Sequence, residues 1–212
     1  MEIKWYGHGC FRLKERTTVA FTDPYPLNTP NTNRPRTKTD VVTVDMGYAL
    51  ENPVDGFTNT PYLIQRPGEY EVSGLFVTTL LTAPDAKKNG HTATRHTIMV
   101  FQFEDISVCH LGRLGHVLGQ DEVEKLSEVD ILLVPVGGNG VLTASQAVEV
   151  ISLIEPLIVV PMYYNVEGNG EEFEGVEKFL KEMGATAVTP IDELKLSKSS
   201  LPDETQIVLL KV

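Results

Sequence analysis

The run Val108-Cys109-His110-Leu111-Gly112-Arg113-Leu114-Gly115-His116 has the make-up of a reactive turn: a β-branched lead-in, small residues, and an imidazole on either side. Such a strand-to-turn junction is a common seat for a ligand in metal-assisted hydrolysis, where a carboxylate or histidine would hold the ion. The central position is instead Arg113, a permanent cation with five N–H donors and no acceptor. It cannot ligate a metal. It can grip a carboxylate or phosphate through its planar fork, or be neutralised by a carboxylate of the chain. The other residues able to ligate or move protons are His8, His91 and His96, with Asp45, Glu51 and Asp85. His91 and His96 sit in a polar stretch with no helix to bring them onto one face, and a surface loop is expected there. Cys10 lies two residues from His8; on one strand that spacing holds side chains about 6–7 Å apart, too far for a Cys–His nucleophile pair. Thr143 and Ser145 have no recognisable base.

These residues need a scaffold, and the composition supplies one. The chain has 212 residues with 42% hydrophobic content, enough for one sizeable core, and a single domain over 1–212 is expected. A formal net charge of −11 argues against a nucleic-acid partner or an anionic membrane surface. No signal peptide or membrane-spanning apolar run is evident, so a cytoplasmic location is expected. Cys10 and Cys109 are then read as buried thiols rather than a disulfide.

Short β-rich runs broken by Gly, Pro and Asn fill the first half: 3–6, 10–14, 18–23, 41–45, 62–65, 69–73, 75–82, 97–103 and 106–111. Gly74 suits a tight hairpin, and the proline-rich stretch 24–38 a surface loop. The second half alternates. Helices are expected over 121–128, 143–155 (Thr143 and Gln146 forming a capping box) and 172–183 (Phe173, Val176, Phe179 and Leu180 inward, Gly184 past the end). Strands are expected at 131–134, 157–161, 187–190 and 206–212. Strands first, then strands alternating with helices, point to two sheets with helices outside.

Several segments, in order, resemble those of the metallo-β-lactamase superfamily, in the branch of small Zn-dependent hydrolases related to ascorbate-6-phosphate lactonase. They are Trp5-Tyr6-Gly7-His8-Gly9-Cys10-Phe11, Asp23-Pro24, Pro67-Gly68-Glu69-Tyr70 with Gly74, His110-Leu111-Gly112-Arg113-Leu114-Gly115-His116, Val134-Pro135-Val136-Gly137-Gly138 and Val160-Pro161-Met162. The resemblance implies a four-layer αββα sandwich of the α/β class, with a site on the loops at one edge of the two sheets. It also implies where metal ligands would stand. The family's H-x-H-x-D-H falls on Met46, Tyr48, Leu50 and Glu51, its later H-D on Pro84-Asp85, its bridging Asp on Arg113 and its last His on Tyr163. Of the ligand positions themselves (Met46, Tyr48, Leu50, Glu51, Pro84, Arg113 and Tyr163), Glu51 alone keeps a good oxygen donor, and Arg113 would repel a dication. No metal and no cofactor are therefore expected.

The leading expectation is a degenerate member of that family, non-catalytic, with a ligand-binding, regulatory or assembly role. The alternative is a hydrolase of a small anionic ester, lactone or phosphoester, with Arg113 as clamp and His8 or His110 as base. His8 and His110 read equally as retained scaffold, their ring N–H groups tied to loop carbonyls, and that reading is preferred. Asp23 resembles the family's orienting carboxylate and could pair with His8 or Arg113. Met46 and Leu50 read as apolar filler of a former ligand cavity. Arg113 is either sealed by Asp45, Glu51 or Asp23, or open to a small anionic ligand flanked by Tyr48 and Tyr163. Gly137-Gly138-Asn139-Gly140 reads as a plain turn. A homo-oligomer or an active paralogue is the partner such a chain would take.

Overall fold

A computed structural model describes residues 1–24, 36–46, 54–83, 95–126, 128–166, 173–185 and 187–212. Tyr48, Leu50, Glu51, Pro84, Asp85 and His91 lie outside these residues, as do most of the proline-rich stretch and the acidic run 167–172. The strands are β1 (Glu2–Trp5), β2 (Phe11–Glu15), β3 (Thr18–Thr22), β4 (Val41–Thr43), β5 (Tyr62–Ile64), β6 (Gly68–Val72), β7 (Leu75–Leu81), β8 (Thr97–Gln102) and β9 (Ser107–His110). There follow α1 (Gln120–Val123), β10 (Ile131–Pro135), α2 (Ala144–Ile154), β11 (Ile158–Met162), α3 (Val176–Glu182), β12 (Leu194–Lys195) and β13 (Gln206–Ile207). Two mixed sheets result, ordered β12-β1-β2-β3-β4-β5 and β13-β11-β10-β9-β8-β7-β6.

Alternation explains how they stack. In β8, Met99 and Phe101 face the first sheet, while Ile98 and Val100 face the helices. In β10, Ile131 and Leu133 point inward, and Leu132 and Val134 outward. A strand covered on both faces must be apolar throughout, which is why Ile131-Leu132-Leu133-Val134 shows no polar alternation. The first sheet contributes Ile3, Trp5, Phe11, Leu13 and Ala20 to the shared core. The described helices pack on the second sheet through Val123, Ala147, Val150, Ile151, Phe179 and Leu180. On the outer face of the first sheet, Tyr6, Cys10, Phe21, Val42 and Val44 are covered in part by Phe57, whose ring centroid is 5.1 Å from that of Phe21. No described helix is long and apolar enough to cross a membrane.

Local chemistry sets the element ends. Ser73 and Gly74 both have positive φ, 55° and 77°, giving the mirror-image two-residue turn that matches strand twist and pairs Val72 with Leu75. Thr143 caps α2 reciprocally with Gln146, as expected. Four expectations need correction. The first helix is a single turn, Gln120–Val123, although Val123, Leu126 and Val129 all pack against the helix-side core. Residues 187–190 form no strand; Ile191 bridges Leu210 and β12 follows it. The final strand is shorter than 206–212 because the chain changes partner: Val208 N–H donates to Val159, but Leu209 O and Lys211 N–H pair with Ile191. His8 and Cys10 do not share a strand; they flank the turn in which Gly7 and His8 have φ of 97° and 49°. Cys10 and Cys109 are free and buried.

Candidate functional site

The C-terminal ends of β3, β4, β9, β10 and β11 gather at one edge of the sandwich, and residues within three positions of the strand ends build the site. β3 delivers Asp23 and β4 delivers Asp45. β9 ends in His110 and turns through Gly112 to Arg113, and β11 delivers Tyr163. His96 enters from the start of β8.

Two carboxyls form the floor. Asp45 is buried and uses both oxygens: Oδ2 lies 2.7 Å from His96 Nδ1, and Oδ1 accepts the Thr97 N–H at 2.7 Å. Its own N–H donates to Asp23 Oδ1 at 2.8 Å. Asp23 is 3% exposed, and its second oxygen, Oδ2, has no hydrogen-bond partner. Burial pushes the Asp23 carboxyl up to about 8; the Asp45 charge adds to this, and the Asp45 N–H and Arg113 oppose it only in part. Asp23 therefore keeps its proton at neutral pH, as one acid of a close buried pair must.

His110 lies beneath. Its Nε2–H donates to Gly9 O at 2.9 Å, and Nδ1 accepts the Gly112 N–H at 3.1 Å, so the ring is neutral and fully used. Burial holds its pKa down to about 4, although the Gly9 carbonyl and Asp45 pull the other way. Neither nitrogen is left to serve as a base. The His8 carbonyl accepts the Trp5 indole N–H at 2.9 Å, and its ring packs edge-on to Tyr163 and Phe173.

Arg113 forms the rim. Its guanidinium carbon stands 5.1 Å from the Tyr163 ring centroid and 5.8 Å from that of Phe173, a cation held over two aromatic rings. Tyr163 is buried, with φ of 51°. Glycines let the parts approach. A Cβ on Gly9 would sit 2.6 Å from Tyr163 Oη and 3.0 Å from Asp23 Oδ2; one on Gly137 would sit 2.1 Å from the Tyr163 carbonyl. The 137–140 segment is a turn closed by Gly138 N–H to Leu142 O.

The structure brings Asp23, Arg113, Tyr163, His8 and His110 together. Met46 departs from expectation: it is 50% exposed rather than filling a cavity, since its N–H is turned toward Thr97 Oγ1 and its side chain leaves the floor. His96 also departs, being 5% exposed and tied to Asp45 rather than part of a surface loop. That pair spans 51 residues, and no local pattern announces it. The one available signal was position, with an acid just past β4 and a histidine just before β8.

The described donors at the expected ligand positions do not by themselves make up a dinuclear metal centre. Among the described residues, no three His, Cys, Asp or Glu side chains converge as a metal-holding group. At the expected ligand positions that are described stand an exposed thioether, a guanidinium and a buried phenol.

Comparison with known proteins agrees with this architecture. A family model described as a beta-lactamase superfamily domain matches residues 2–163. A solved structure from Thermotoga maritima, described as a protein of the metallo-beta-lactamase superfamily, superposes with a TM-score of 0.81 at 31% identity, covering 99% of this chain and 97% of that one. A UPF0173 protein of Pyrococcus abyssi is 28% identical over 85% of this chain and 91% of its own length. A UPF0173 metal-dependent hydrolase of Thermoplasma acidophilum is 23% identical over 78% and 84%.

Proposed function

Taking as premise that the chain belongs to the metallo-β-lactamase superfamily, we propose that it is a member whose two-metal centre has given way to a side-chain network, and that it acts as a ligand-binding or regulatory protein rather than a metallohydrolase. The observation that carries this reading is the use of the floor. Asp45, the described acid nearest the expected ligand strand, spends its oxygens on His96 and the Thr97 N–H. A metal at Asp45 would have to compete with both of these short bonds. Arg113 adds a fixed positive charge where a bridging anion would be required. The test is metal analysis of native protein purified without chelator. The expected result is far less than one equivalent of zinc, manganese or iron. Stoichiometric metal, lost on chelation together with a hydrolytic activity, overturns the reading.

A second reading has its own support. The Thermoplasma acidophilum relative is named a metal-dependent hydrolase, and the name of the Thermotoga maritima protein provisionally makes it a Zn-dependent one. If this chain hydrolyses small anionic esters, the Asp45-oriented His96 is the base to examine, because His110 has no nitrogen to spare. Turnover of such an ester in chelator, abolished by His96→Gln, supports this reading; no turnover in a screen of esters, lactones and phosphoesters counts against it.

A further inference from the structure

A chain of net charge −11 repels anions as a whole, yet the outer face of its first sheet gathers positive charge in one hollow. In β2, Phe11 and Leu13 point into the core, so Arg12 and Lys14 must point outward. The β2–β3 turn sets Thr17 beside them, and the backbone entering β4 brings Lys38 across from the other side. With Val19 and Asp40 these residues line a cavity of about 270 Å³. Arg12 Nη2 and Lys14 Nζ donate to the same oxygen, Glu2 Oε2, at 3.0 and 3.3 Å, so two cations share one carboxylate. Glu193 stands 3.8 Å from Arg12 but 3.1 Å from Lys195, and serves that lysine first. Lys38 is exposed and has no carboxylate at ion-pair distance among the described residues. Two N–H groups of Lys14 and all three of Lys38 are therefore left for a further acceptor. Asp40 is the only acid among the described residues of the lining. Its Oδ2 accepts the Val19 N–H at 2.9 Å and its own N–H donates to Val19 O, which pins it to the wall where β3 meets β4.

We infer that this cavity binds a phosphate dianion, free or as the head of a small phosphate ester. Three cations face one lining acid, and the surplus positive charge sits where an anion can enter. Lysines act as point charges around a space, which suits a tetrahedral group approached from several sides. A flat carboxylate would need the fork of an arginine, and the fork of Arg12 is already turned to Glu2. A phosphoryl group carries close to two charges and three strong acceptor oxygens, enough for Lys14, Lys38 and the Thr17 hydroxyl at once. The wall is polar apart from Val19, so it selects the charged head and not an apolar tail. Asp40 faces the same space and holds affinity to the millimolar range. The cavity is separate from the Asp23–Asp45 floor: Val19 and Asp40 stand at the starts of β3 and β4, and the two floor acids stand past their ends, roughly 15 Å away along the strands. The inference goes beyond the reading above and does not depend on whether that floor holds a metal.

The experiment is NMR titration of the ¹⁵N-labelled full chain, in chelator, with inorganic phosphate and separately with glycerol 3-phosphate, against acetate at matched ionic strength. Phosphate is expected to shift the Thr17, Val19 and Lys38 amide signals saturably at millimolar concentration, more tightly than acetate, and to leave Gly112 and Arg113 in place. Tighter binding of glycerol 3-phosphate would identify an ester as the occupant, and equal or weaker binding the free ion; both support the inference. Lys38→Ala removes an exposed side chain with no ion pair to lose, and should weaken phosphate binding about fivefold. Lys14→Ala should act in the same direction. Asp40→Asn keeps an acceptor for the Val19 N–H but removes the repelling charge, and should tighten binding severalfold. The inference is overturned if millimolar phosphate leaves these amides unmoved, if the shifts grow without saturating, or if acetate binds as tightly. It is equally overturned if the shifts centre on Gly112 and Arg113, or if well-dispersed Lys38→Ala and Lys14→Ala chains titrate like wild type.

Discussion

Asp23 and His110 are both buried and both neutral at pH 7, yet they act on stability with opposite signs. Asp23 binds its proton more tightly in the folded chain, so its contribution is full below the unfolded carboxylate pKa and is lost as pH rises through about 8. His110 binds its proton less tightly when folded, so its contribution is full above the ordinary imidazole pKa and is lost as pH falls toward about 4. Between about pH 4 and 6.5 the two slopes oppose each other and largely cancel. From about 6.5 to 8 only the Asp23 slope remains, and the wild type should lose on the order of 2 kcal/mol across it. Denaturant unfolding at several pH values is the measurement. Asp23→Asn should flatten the loss above pH 6.5 and leave the acid-side His110 limb exposed. A wild-type curve level from pH 6.5 to 8.5 would mean that Asp23 is ionised in the fold. None of this was legible in the sequence, where Asp23 and Asp45 are merely two acids 22 residues apart.

Elements were legible where the local signal was strong. The apolar run of β10, the Thr143–Gln146 box of α2 and the Ser73-Gly74 turn each declare themselves within a few residues. Where an element borrows its stability from distant chain, the sequence was silent: β12 has two residues and exists because β1 lies beside it. The same division predicts how substitutions behave. Thr143→Ala removes one cap from a helix otherwise held by Ala147, Val150 and Ile151, and should cost about 1 kcal/mol, or roughly 2–4 °C in Tm. Gly9→Ala lies in a turn with no helix to lose. Its methyl would nevertheless meet Tyr163 Oη at 2.6 Å, so the ring must turn and carry away the platform under Arg113. Thermal melts and the NMR signal of the Arg113 side-chain N–H should therefore separate the two: Thr143→Ala lowers Tm and leaves that signal in place, and Gly9→Ala shifts it because the Tyr163 ring beneath it moves. An unmoved Arg113 signal in Gly9→Ala would show that Tyr163 does not support the guanidinium.

At the scale of the whole molecule, the C-terminal segment joins the two sheets. It adds β12 to the edge of the first sheet beside β1 and β13 to the edge of the second beside β11. Between them Lys198 reaches Asp130, a mostly buried acid that also accepts the Ser107 N–H. Leu194 and Leu210 belong to the core between the sheets, while Leu209 packs with the helix layer. The Met1 amino group donates to Leu196 O, which ties the start of the chain to the segment that follows β12. This long-range arrangement is the part of the fold least readable from sequence, because its contacts join residues from 48 to 195 positions apart. Deleting residues 191–212 would open an edge on each sheet and remove leucines from both cores, each costing about 2–5 kcal/mol when truncated singly. For Leu194, Leu209 and Leu210 together that is comparable to the usual total stability of a domain, about 5–15 kcal/mol. The truncated chain should show no cooperative melt and collapsed amide dispersion. Lys198→Ala should cost only about 1 kcal/mol, because that lysine is 55% exposed and its pair with Asp130 is screened by water. A truncated chain that melts cooperatively near the wild-type temperature would show that the two sheets hold together without this segment.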